Sequence, residues 1–96
     1  MKNKQWLKFH DCIDELNKFE KIEHKFNKNP KTHAIILLSK IFFDLDFEPS
    51  GGKSLNILLF SITSNMCEHL KNSEVLDLVR CGVYYSVGYN KLIMKI

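Results

Sequence analysis

The sequence predicts an α+β domain, a long N-terminal helix followed by antiparallel strands paired in hairpins. Three observations carry this expectation. Trp6, Phe9, Ile13, Leu16, Phe19, Ile22 and Phe26 recur every three or four positions, as one apolar stripe on a helix requires. After Pro30 the period shifts, and Phe43, Leu45 and Phe47 alternate with Asp44, Asp46 and Glu48. The chain closes with two β-rich runs, "VYYSV" and "KLIMKI", separated by Gly-Tyr-Asn.

The stripe places the first helix over residues 4–28, and Asn29-Pro30 ends it because the residue before proline avoids helical geometry. Residues 32–40 read as a strand, with a short helix started by Pro30 as the alternative. A hairpin of 41–48 with 54–62 follows, turned by Pro49-Ser50-Gly51-Gly52. Asn65 and Glu68 have the spacing of a capping box, so a short helix is expected near 65–71. Residues 73–81 fit a further helical turn or the start of a strand. The last hairpin has Leu92, Met94 and Ile96 on one face and Lys91, Ile93 and Lys95 on the other. The rival is an all-helical bundle of 31–47, 54–71 and 73–94. Gly82, Gly88 and the all-round apolar 54–62 run count against it.

Composition narrows the function classes. At 96 residues, 45% hydrophobic and 26% charged, the chain makes one ordinary globular domain, 1–96, with a modest core. Fourteen Lys plus Arg against eleven Asp plus Glu leave a net +3, which permits an acidic or nucleic-acid partner without demanding one. Cys12, Cys67 and Cys81 are odd in number and widely spaced, which points to reduced thiols in an intracellular protein, cytoplasmic or nuclear. The basic start lacks the apolar stretch of a signal peptide, and no apolar run approaches the ~20 residues that span a bilayer. No membrane role is expected.

No catalytic signature stands out. Gly52-Lys53-Ser54 ends like a phosphate-binding loop, but Phe47 occupies the place of the loop's first glycine and the following segment reads as strand. A hairpin turn is the better reading. His10-Asp11-Cys12 and Cys67-Glu68-His69 hold metal-ligand residue types. Positions two apart on a helix diverge, however, so neither pair chelates and no metal or other cofactor is expected. Asp44, Asp46 and Glu48 form a solvated or partner-facing acidic strand face rather than an acid–base pair. Ser86 lies two before Gly88, but Tyr84 stands where a nucleophile elbow needs glycine. Cys81 has no local histidine to activate it. The chain is read as a non-enzyme.

The aromatic and basic residues of the last hairpin carry the functional expectation. Tyr84, Tyr85 and Tyr89, with Arg80, Lys91 and Lys95, combine stacking faces with cations, as single-stranded nucleic-acid binders do. The first helix offers a second surface, in which Trp6, Phe9, Ile13, Leu16 and Phe19 form a stripe for a partner protein or for self-association.

"PSGGKSLNILLFSI", "HLKNSEVLDLVRCG" and "YNKLIMKI" follow one another as a turn and apolar strand, a helix and strand, and a closing hairpin. That course resembles the oligonucleotide/oligosaccharide-binding (OB) fold, as in bacterial single-stranded DNA-binding proteins and the small subunits of replication protein A. The resemblance covers about residues 33–96. It implies a five-stranded OB-like barrel that binds single-stranded nucleic acid through its second and third strands and the loops between strands one and two and strands four and five. The acidic second strand departs from that pattern, since phosphates are repelled there. The expected function is thus a non-enzymatic binding or assembly subunit, with single-stranded nucleic acid at the C-terminal hairpin. The alternative is a protein–protein interaction module, such as an immunity protein, secretion chaperone or complex subunit, that uses the helix stripe and the acidic strand face.

Overall fold

A computed structural model describes residues 5–23, 25–43, 45–50 and 57–95. Among these residues four strands form one antiparallel sheet: β1 (Phe47–Ser50), β2 (Ile57–Phe60), β3 (Val83–Ser86) and β4 (Lys91–Lys95). Their order is β1-β2-β4-β3, so two hairpins lie side by side and join through their inner strands. The helices are α1 (Lys8–Asp11), α2 (Pro30–Ile41) and α3 (Asn72–Cys81). The α+β class holds. The closed five-stranded OB-like barrel does not, because β1 and β3 are edges and the sheet is open.

Each departure from the expected elements has a local cause. Residues 32–40 are helical. The Asn29 side chain accepts hydrogen bonds from the Lys31 and Thr32 backbone N–H groups at 2.9 and 3.2 Å, and Pro30 occupies the first turn. Asn29-Pro30 therefore opens a helix rather than merely closing one. Ala34, Leu37 and Leu38 are buried on it, which outweighs the β-preference of Ile35 and Ile36.

The expected helix over 4–28 is instead a series of short turns: 3-10 segments Gln5–Leu7, Ile13–Glu15 and Phe19–Lys21, with α1 between the first two. It breaks at Asn17, which takes a left-handed φ of 63° and donates its N–H to the Val79 carbonyl at 3.2 Å. A straight helix would carry its stripe past so small a core. Broken turns let the segment wrap around α3, with Phe9 and Ile22 fully packed and Trp6, Leu16 and Phe19 lying against the same core.

The expected strand 41–48 begins only at Phe47, and its interior alternation is lost. Phe43 is 98% exposed and Phe47 43%, while Leu45 packs against the core. Asp44 and the Gly51-Gly52-Lys53-Ser54 turn lie outside the described residues. The hairpin pairing itself is present, with Phe47 opposite Phe60 and Ser50 opposite Ile57. A 3-10 helix, Met66–His69, stands near the short helix expected at 65–71, but the Asn65 side chain makes no cap bond there. The 73–81 stretch is α3, whose first turn is closed by the Lys71 N–H donating to Glu74 Oε1 at 2.7 Å.

One core joins the layers. Leu58 and Phe60 of β2, Val83 and Tyr85 of β3, and Leu92 and Met94 of β4 face the helices. They meet Val75, Leu78 and Val79 of α3 and Leu38 of α2. Gly82 links α3 to β3 with φ 104°, and a side chain there would meet Asn17 Oδ1 at 2.6 Å. Gly82→Ala should thus lower stability by roughly 1–3 kcal/mol in urea unfolding. Gly88→Ala, whose added carbon would meet Ser86 Oγ at an ordinary 3.8 Å, should stay within about 1 kcal/mol of the parent.

Candidate functional site

Strand alternation sorts the C-terminal hairpin into two faces. Leu92 and Met94 turn toward the helices, so Lys91, Ile93 and Lys95 turn away. Val83 and Tyr85 turn inward, so Tyr84 and Ser86 share the face of the lysines. The register pairs Tyr84 with Ile93 and Ser86 with Lys91 on one side of β4, and Leu59 with Ile93 and Ile57 with Lys95 on the other. Ile57, Leu59 and Ile93 form a second small apolar cluster, with Tyr84 packed against it. Tyr84 therefore lies beside the midpoint between two lysines, over an apolar floor.

The six hairpin residues expected to bind nucleic acid do not all meet. Tyr84, Lys91 and Lys95 share the outer face, and Tyr89 stands 47% exposed in the turn, where its N–H donates to Ser86 Oγ at 3.3 Å. Tyr85 belongs to the core. Its ring stacks at a tilt on Trp6 with centroids 5.1 Å apart, and its hydroxyl donates to Asn90 Oδ1. Arg80 sits on α3, where its Nε donates to Glu15 Oε2 at 3.3 Å. Lys21 stands 3.6 Å from the other Glu15 oxygen. Neither Lys91 nor Lys95 is ion-paired with a described residue.

Tyr84 and Lys95 also line a cleft of about 160 Å³ with Ile13, Leu16, Asn17 and Gly82. The expected partner stripe is largely spent on the chain's own core, since Phe9 is buried and Trp6, Leu16 and Phe19 pack against it. Ile13 alone of the five is well exposed, at 46%. Of the acidic residues, Glu48 stands opposite Leu59, in the same cross-strand row as Ile93 and two strands from the lysines of β4. Asp46 precedes β1 and Glu48 lies on β1, the sheet edge opposite β3.

Among the described residues no group of three or more His, Cys, Asp or Glu is placed to hold a metal ion. Burial pushes the Cys67 thiol up to about 12, and burial with Asp77 nearby does the same for Cys81. Both remain protonated at neutral pH, so neither is a ready nucleophile. Sequence reasoning missed His33, which is buried on α2. Its spacing of four from Leu37 is the signal that it shares the apolar face.

The chain matches no family model, no curated protein and no solved structure.

Glu15 offers a test of this arrangement. Desolvation raises its carboxyl pKa, but Lys21 and Arg80, with Lys18 adding, outweigh that and leave it below the ordinary 4.5. A carboxylate depressed in the folded state stabilises above its unfolded pKa, and that contribution fades as pH falls through the folded value. The unfolding midpoint of the parent should therefore drop between about pH 5 and pH 3 more steeply than that of Glu15→Gln. Equal slopes would show that the pair holds nothing.

Proposed function

We propose that the outer face of β3–β4 binds nucleic acid, and that the protein is a non-enzymatic binding or assembly subunit acting on single-stranded DNA or RNA. One observation supports this most: Tyr84 lies across from Ile93, midway between Lys91 and Lys95 on the same sheet face. Four residues of strand separate the lysine Cα atoms by about 13 Å. Backbone phosphates can meet a cation at each end while a base lies against the ring between them. Tyr89 extends the stacking surface at the turn. With the barrel overturned, this reading no longer leans on the loops of the OB fold and stands on the chemistry of the face. An intracellular, reducing location goes with it, in keeping with three unpaired cysteines. No helix among the described residues is long and apolar enough to cross a membrane.

Titration of a labelled oligonucleotide tests the reading. Two phosphate contacts on a single strand give a slope of log affinity against log salt of about −1.4. Lys91→Glu with Lys95→Glu should abolish binding, and Tyr89→Ala should weaken it by roughly 1–3 kcal/mol. Arg80→Ala should change it little, because that guanidinium is engaged by Glu15. No binding at low salt, or undiminished binding by the double lysine variant, would refute the face. Tighter binding of a duplex of equal length would shift the ligand to double strands.

A further inference from the structure

We propose that His33 is an acid-sensitive latch: its neutral ring holds the Lys25–Lys28 stretch against α2, and protonation of Nδ1 lets that stretch go. His33 is fully buried near the start of α2, under a Phe26 ring that is itself 46% exposed. The Phe26 backbone N–H donates to its Nδ1 at 3.0 Å. That bond requires an unprotonated Nδ1, so the neutral ring carries its hydrogen on Nε2. Nε2 is buried and has no hydrogen-bond partner among the described residues. An imidazolium would set two N–H donors against each other at Nδ1 and leave a buried positive ring in a cage whose aromatic walls already carry Lys25 and Lys40. The cage is aromatic, with the Phe26 ring stacked on His33 at 5.1 Å between centroids and Phe19 edge-on at 5.6 Å.

The charges around the cage come from three directions. Asp77 on α3 favours the charged ring, and Lys25 on the latched stretch opposes it. Lys40, further along α2, holds its ammonium 4.7 Å from the Phe26 ring centroid, and Lys25 lies 5.2 Å from that of Phe19. Lys25 Nζ also donates to the Ile22 carbonyl at 2.8 Å, which ties the stretch to its buried anchor. Burial is the largest influence, and it moves His33 below the ordinary 6.5. The sign follows directly. A histidine depressed in the closed state binds fewer protons there than when open, so closure is fully favoured above 6.5 and is lost as pH falls below it. Release breaks the Phe26–His33 hydrogen bond, the ring stack and the Lys40–Phe26 contact, while Asn29 still caps α2 and Ala34, Leu37 and Leu38 stay packed, so the opening is local.

Amide hydrogen exchange of the intact chain, corrected for intrinsic rates, tests the latch. Phe26 should lose protection by about tenfold per pH unit below the ordinary histidine pKa, while Leu92 on β4 holds its protection. His33→Asn offers a carbonyl acceptor that does not titrate and should flatten the Phe26 profile. A parallel pH profile in parent and variant would overturn the proposal. If His33→Asn does not fold, nitrogen NMR of the parent ring decides. A ring protonated on Nε2 at neutral pH and titrating below 6.5 supports the latch, and one protonated on Nδ1, or titrating at or above 6.5, refutes it.

Discussion

The burial of one sheet face beneath the helices is the constraint on which the rest of this structure depends. Leu58, Phe60, Val83, Tyr85, Leu92 and Met94 meet Val75, Leu78 and Val79 of α3 in a single core. Each fully buried side chain of this kind contributes about 1.5–3 kcal/mol relative to exposure. A one-residue slip of β4 would turn Lys91, Ile93 and Lys95 inward and Leu92 and Met94 out. The lysines and Tyr84 thus share the opposite face because the core permits no other register. The cationic face is a consequence of packing, and its chemistry is left to whatever the outward positions carry.

The N-terminal third is held by the same core. Trp6 lies against Tyr85, Asn17 donates to Val79, Arg80 and Lys21 grip Glu15, and Phe26 rests on His33. Such a segment has little helix of its own to sustain it, since short turns are marginal without tertiary contacts. Its placement draws apolar stripe residues away from solvent and leaves Asn17 beside Gly82 at the point where α3 gives way to β3. The two buried thiols belong to this interior and share its inertness.

The C-terminal hairpin was the most legible part of the chain. In "KLIMK" a period of two, set by the strand reading and the Gly-Tyr-Asn turn, was enough to put Lys91 and Lys95 on one face with Ile93, opposite Leu92 and Met94. The acidic alternation of "FDLDFE" had the same form and a different outcome. Phe42 caps the C-terminal end of α2, and Phe43 and Leu45 lie between that cap and the strand. Period two signals a strand only where the chain is free to extend, and the helix before it uses up that freedom. A helix started by Pro30 was the alternative for residues 32–40, and the Asn29 cap with the burial of Ala34, Leu37 and Leu38 decides for it over the strand. The tyrosines show the limit on the site. Tyr84 and Tyr85 are adjacent and chemically alike, and only the sheet's inner face tells which becomes core and which a surface ring.

By itself the sequence determined the α+β class, the terminal hairpin and the placing of Lys91 and Lys95 on one strand face. These rest on local period and turn chemistry, which act over a few residues. Tertiary structure alone decided that the sheet stays open, that the first apolar stripe breaks at Asn17, that Arg80 is engaged by Glu15 and that His33 is enclosed. Those outcomes depend on partners far apart in the chain, such as Glu15 and Arg80 or Asn17 and Val79, and a local pattern carries no record of a distant partner.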